Sequence, residues 1–175
     1  YNFDALAEYT IFAVAHYLPG LKRRVISSRT RNWLFAYHGG GDQRWHAEGW
    51  IFNSGDGNED WHIHAGSINS APDPQASFYK DGVLLIQDGT GSNNVNYKPG
   101  QLSLGAYLNQ GHESADCEVA EVIIYNRVLS PAEINQVGFY LQEKYGLAGA
   151  HLDPGTTLAI ADASDLTTNS GTIHG

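Results

Sequence analysis

The chain has 175 residues, 42% of them hydrophobic and 11% aromatic, enough for one domain with a real core. Its 10 Lys and Arg stand against 19 Asp and Glu, a formal net charge of -9, which argues against nucleic acid or an anionic membrane surface as the main partner, since both are held through Lys and Arg. No apolar run approaches the length of a membrane span, and the single cysteine, Cys117, excludes an internal disulfide and reads as a buried, inert thiol.

Residues 9–17 alternate: Tyr9, Ile11, Ala13, Ala15 and Tyr17 share one face of a strand, and Thr10, Phe12, Val14 and His16 the other. Both faces are apolar enough for a central strand, and Pro19-Gly20 ends it. Residues 24–28 and 33–37 read as the next two strands, with Trp33, Phe35 and Tyr37 on one core-facing side. Gly39-Gly40-Gly41 reads as a flexible loop, and residues 45–52 as a single further strand. Residues 53–60 are polar and contain glycine, hence a loop; residues 61–68 are a strand and Pro72-Asp73-Pro74 a turn. Residues 75–79 and 83–87 flank Asp81-Gly82, the pair that a type I′ hairpin turn favours. A loop at 88–94 follows, then strands over 102–108 and 118–125.

The spacing predicts one helix over 131–145. Ser130 can cap it, Pro131 suits the first helical position, Glu133 completes a capping box, and Leu129 can staple onto Ile134. Ile134, Val137, Leu141 and Tyr145 form one apolar stripe, Lys144 suits the last turn, and Gly146 is a left-handed stop. Many short strands between turn residues, without parallel αβ alternation, predict an all-β antiparallel sandwich. Residues 147–175 lack Lys, Arg and aromatic residues and read as a linker or terminal extension.

Three segments carry a resemblance. Ala120-Glu121-Val122-Ile123-Ile124-Tyr125-Asn126-Arg127-Val128-Leu129-Ser130-Pro131-Ala132-Glu133-Ile134 resembles the closing strand and helix of laminin-G-like domains of the concanavalin A-like jelly roll. Trp61-His62-Ile63-His64-Ala65-Gly66 is similar to that family's Trp-His-x-x-Ala strand, and Phe78-Tyr79-Lys80-Asp81-Gly82-Val83-Leu84-Leu85 to its Tyr-x-Asn/Asp-Gly hairpin. Order and spacing agree across residues 8–146. The resemblance implies a two-sheet jelly-roll sandwich with residues 1–146 as the module. Thr157–Leu166 looks like the opening strand that precedes such domains in bacterial proteins, so it starts a following module or folds back as an edge strand. The fold itself carries lectins, adhesion modules, receptor domains and glycosidases alike.

Several residues could carry chemistry. Glycosidases of this fold need two carboxylates about 5–10 Å apart. The nearest set is Asp116, Glu118 and Glu121, but on a regular strand Glu121 points away from Glu118, and the resemblance gives Glu121 a structural place. His62 and His64 point the same way from one strand. That spacing suits zinc, or ligand contact on an exposed sheet face, or a half-exposed polar face opposite Trp61, Ile63 and Ala65. Asp56, Asn58 and Asp60 place oxygens at alternate loop positions, which suits Ca²⁺, and many laminin-G-like domains bind calcium at a loop rim; a solvated acidic turn is the plainer reading. Trp45 lies between Arg44 and His46 beside the glycine loop, which places it near the surface. Trp45, His46, His62, His64 and Tyr107 are therefore expected on one concave ligand-binding surface, where an aromatic ring stacks on a sugar.

The chain starts at Tyr1 and contains no Met, which reads as a processed or excised piece of something longer. The expected role is a non-catalytic extracellular or cell-surface module that binds glycan and requires no cofactor, with Ca²⁺ as an option. A protein–protein adhesion module, a glycoside hydrolase or lyase, and an inert spacer are the alternatives.

Overall fold

The computed structural model describes residues 2–6, 8–69, 75–89, 98–107 and 113–155. The Pro72-Asp73-Pro74 turn, most of the loop expected after Asp88 and the Thr157–Leu166 stretch lie outside them. In chain order the elements are β1 (Tyr9–Tyr17), β2 (Ile26–Ser28), β3 (Trp33–His38), β4 (Gly41–Ala47), β5 (Trp50–Ser54), β6 (His62–Ile68), β7 (Ala76–Lys80), β8 (Val83–Gly89), β9 (Leu102–Leu104), β10 (Cys117–Tyr125) and α1 (Pro131–Tyr145). They form two antiparallel five-stranded sheets, ordered β10-β1-β6-β7-β8 and β5-β4-β3-β2-β9, stacked as a sandwich.

The alternation in β1 sets the layers. Tyr9, Ile11, Ala13, Ala15 and Tyr17 face the second sheet, among Trp33, Phe35, Tyr37, Trp45 and Phe78. Phe12 and Val14 face the other way and pack with Ile63, Ala65, Leu129, Ile134, Val137 and Leu141 under the helix. The molecule is thus three layers deep, and β1 and β6 have no solvent face. Gly66 shows how tight the central layer is: a Cβ there would stand 2.6 Å from the Phe35 ring and 2.8 Å from that of Trp45.

The helix starts and stops as its sequence dictates. Ser130 and Glu133 form the capping box, and Gly146 adopts the left-handed conformation at the end. Two parallel guanidinium bonds from Arg127 and the Ser130 backbone N–H hold the Glu133 carboxyl down to about pKa 2. Thr10 ties the first strand to this corner: its hydroxyl donates to the Arg127 carbonyl at 2.9 Å and accepts from Leu129 N at 2.9 Å.

Four local expectations change. Residues 45–52 are not one strand, because Glu48 takes a left-handed φ of 55° and turns the chain into the β4–β5 hairpin. Gly39 and Gly40 are not a loose loop; at φ 60° and 87° they make the tight β3–β4 turn, as Asp81 and Gly82 do between β7 and β8. The strand expected over 102–108 is shorter, ending at Leu104. Residues 147–152 leave the helix but stay docked. The Ala150 N–H donates to the Asp81 carbonyl, Asn135 and Leu152 exchange two hydrogen bonds, and His151 is buried over Gly138.

Candidate functional site

The solvent side of the second sheet gathers the open aromatic and basic groups. Antiparallel pairing sets His46 opposite Trp50, so the two rings share the face turned away from Trp45, with centroids 5.0 Å apart. His38, at the end of β3, reaches the same indole at 5.9 Å. Trp50 is 38% exposed, standing between two imidazoles. Next to it, Arg44 donates to the Ser54 carbonyl and folds over Gly41, where a Cβ would sit 2.4 Å from the guanidinium. Arg44 has no carboxylate partner among the described residues.

Arg24 closes the other side. Its guanidinium lies 3.8 Å from the centre of the Tyr107 ring, pairs with Glu113, and donates to Asn32 Oδ1 at 2.9 Å. The Asn32 carbonyl in turn meets His46 Nδ1 at 2.8 Å, so one residue fixes both the guanidinium and the imidazole. Arg24, Arg44, His46 and Glu113 all act electrostatically on His38. Burial, seconded by the cations, lowers the pKa of His38 below its ordinary value, against the pull of Glu113. His38 Nδ1 is shielded from water and has no hydrogen-bond partner among the described residues. The face therefore offers an exposed indole, a phenol ring already stacked by a cation, and hydrogen-bond donors fixed around them.

Of the residues expected on one surface, the structure sets His46 against Trp50 and Tyr107 against Arg24. The other three are corrections. Trp45 is fully buried between the sheets, against Phe35 and Phe78. Its polar neighbours Arg44 and His46 point to solvent because alternate strand residues face opposite sides. His62 and His64 do point the same way, but into the sandwich. His64 packs against Phe35, Tyr37 and Phe78, its Nε2 2.6 Å from the Asp42 carbonyl. Burial holds its pKa down at about 4. His62 is gripped from both sides, with Nδ1 2.7 Å from Asp81 Oδ2 and Nε2 2.7 Å from Asn58 Oδ1. Lys80 joins them through a 2.7 Å bond to the fully buried Asp42 carboxylate. Burial raises the pKa of Asp81, but hydrogen bonds from His62 and the Ile63 N–H outweigh it and leave it below the usual carboxylate value.

The loop oxygens considered for calcium are partly committed. Asn58 Oδ1 meets His62 and accepts from the Asp60 N–H, and Asn58 Nδ2 donates to the Asp60 carboxylate at 2.7 Å. Asp56 is exposed. Among the described residues no cluster of three or more His, Cys, Asp or Glu is arranged to hold a metal.

The carboxylates of β10 sit differently from expectation. A bulge shifts the register, so Val14 opposes Glu121 while Ala15 opposes Val119 and His16 opposes Glu118. Glu118 and Glu121 therefore share the outer face despite their spacing. Each has a structural partner: Glu118 meets His16 Nε2 at 3.0 Å, and Glu121 accepts from Lys144 at 2.9 Å and from the Tyr145 hydroxyl at 3.0 Å. Asp116 accepts from the Leu21 N–H at 2.7 Å.

No protein-family description and no curated protein matches the chain. Among solved structures it is similar to a mutant of Trypanosoma rangeli sialidase displaying trans-sialidase activity, at 16% identity and a TM-score of 0.50, covering 80% of this chain and 24% of that one. It is also similar to Trypanosoma rangeli sialidase in complex with sialic acid, at 18% identity and a TM-score of 0.49, with coverage of 80% and 24%. A third is domain 4 of AbnA, an extracellular arabinanase from Geobacillus stearothermophilus in complex with arabinotriose, at 13% identity and a TM-score of 0.47, covering 75% of this chain and 66% of that one. The chain thus spans a quarter of the sialidase chains, 24% of each, and what it shares with the first of them is a β-sandwich fold.

Proposed function

We propose that this chain is a non-catalytic, extracellular glycan-binding module of the laminin-G-like jelly-roll type, and that the outer face of the second sheet holds the sugar. The observation that carries the reading is Trp50, an exposed indole flanked by His38 and His46. A sugar ring presents an apolar C–H face that stacks on such a ring, while its hydroxyls need donors and acceptors at the side. Asn32, Arg24 and Arg44 are fixed by neighbours within the same face. The engagement of Glu118 and Glu121 by His16, Lys144 and Tyr145 supports the non-catalytic part.

The test is a glycan array with wild type and Trp50→Ala. Wild type should bind at least one glycan class, and Trp50→Ala should bind it about tenfold less, the order expected for one aromatic contact. Full binding by the variant would move the site elsewhere. Hydrolysis of the bound glycan by wild type, abolished in Glu118→Gln, would replace a binding module with an enzyme.

A further inference from the structure

We propose that the sugar taken by this face carries a carboxylate: a uronate-type glycan, with Arg44 reading the acid group. The inference rests on the glycan-binding reading above and names its ligand class. The whole chain is acidic, at a net charge of -9, whereas on this face Arg24 and Arg44 balance Glu113 and Glu48. His38 and His46 flank Trp50, Arg24 lies over Tyr107, and Arg24, Arg44 and His46 all act electrostatically on His38. The carboxylates near them are engaged: Glu113 is paired with Arg24, and Glu48 accepts from the Asn32 N–H at 2.9 Å. Arg24 is buried and committed, which leaves Arg44 as the cation open to a ligand.

Geometry assigns it the acid group. Arg44 and His46 share one face of β4, and His46 is paired with Trp50. The Arg44 guanidinium folds over Gly41, which is paired with His38, and the His38 ring lies 5.9 Å from the indole, so Arg44 and Trp50 border the same imidazole. A pyranose stacked on Trp50 would thus place an exocyclic carboxylate within reach of the guanidinium. The fork of N–H donors in arginine matches a planar carboxylate with two parallel bonds, which an ammonium does not reproduce. A neutral glycan would leave this cation uncompensated beneath it. The rest of the acidic surface repels polyanions in general, so selection must come from this local pairing.

The experiment measures affinity of the intact chain for three polymers: polygalacturonate, its fully methyl-esterified counterpart and a sulfated galactan. Wild type should bind polygalacturonate at least about tenfold more tightly than the methyl ester, the scale of one charge-assisted pair. Arg44→Gln should abolish that preference, and Arg44→Lys should restore only part of it. Circular dichroism establishes that each variant is folded; should Arg44→Gln be unfolded, the ester comparison on wild type and the Arg44→Lys variant decide. Equal binding of acid and methyl ester, weakened by Trp50→Ala, would overturn the uronate assignment and leave the glycan face standing. Tight binding of the sulfated galactan alone would overturn the carboxylate specifically. If none of the three binds and the glycan array is also blank, the glycan-binding reading falls and this inference with it.

Discussion

Trp45 and Trp50 belong to one hairpin and face opposite sides of it. Trp45 has no exposed surface and fills the space between the sheets, whereas Trp50 is 38% exposed on the far side. The same division separates the histidines. His62 and His64 are enclosed with Asp42, Lys80 and Asp81, while His38 and His46 flank an open indole. The inner set holds two layers in register; the outer set has its edges fixed and its centre open. Residue type therefore does not distinguish core from open face in this protein, and the side of the strand does.

Four measurements would break or sharpen that division. Trp45→Ala should cost about 3–5 kcal/mol of stability, as for other buried large aromatics, while Trp50→Ala should cost about 0.5 kcal/mol. Comparable losses in chemical denaturation would mean the two sides are not different. Acid should act through the inner set next. His64 has a folded-state pKa of about 4 against an ordinary 6.5, so the unfolded chain takes up the proton first as pH falls. That stability is complete above pH 6.5 and is lost between about 6.5 and 4, a total of about 3 kcal/mol. His38 and His151, also lowered by burial, add with the same sign. The imidazole resonances of His64 should stay at their neutral positions until about pH 4; titration near 6.5 would break the assignment. Binding comes third: Trp50→Ala should weaken glycan retention by about 1.4 kcal/mol, a tenfold factor, and Glu118→Gln should leave it unchanged. The smallest effect is expected at the 56–60 loop, where Asn58 is already held by His62 and Asp60. Melting points in EDTA and in millimolar calcium should coincide for wild type and for Asp56→Ala/Asp60→Ala, and a calcium-dependent rise would locate an ion there.

The elements with strong local signals were legible. Both faces of β1, the capped helix and the Asp81-Gly82 turn follow from alternation, capping chemistry and turn propensity, which act within a few residues. Of the five residues expected on one surface, only His46 was placed beside the exposed indole, and Tyr107 beside Arg24. Polar neighbours suggested exposure for Trp45, yet in a strand they imply the opposite, since Arg44 and His46 occupy the other face. Trp50 was missed because Glu48 carries the turn in a left-handed conformation that a glutamate seldom adopts. Reading Glu48-Gly49 as that turn would have placed Trp50 beside His46. The burial of His62 and His64 depends on layers supplied by distant residues, and the Glu118–Glu121 alignment on one bulge. Neither is a local property of sequence.

The bond between Thr10 and the corner at Arg127 and Leu129 also has a consequence in time. β1 is bordered by β10, which comes far later in the chain. As the chain emerges from the ribosome, Phe12 and Val14 meet Ile63 and Ala65 but lack their cover by the helix until residues beyond 125 arrive. Such non-local pairing makes folding slow, and the waiting strand is a target for chaperones or for wrong partners. A chain stopped short of the helix should be found in aggregates rather than as a smaller sandwich.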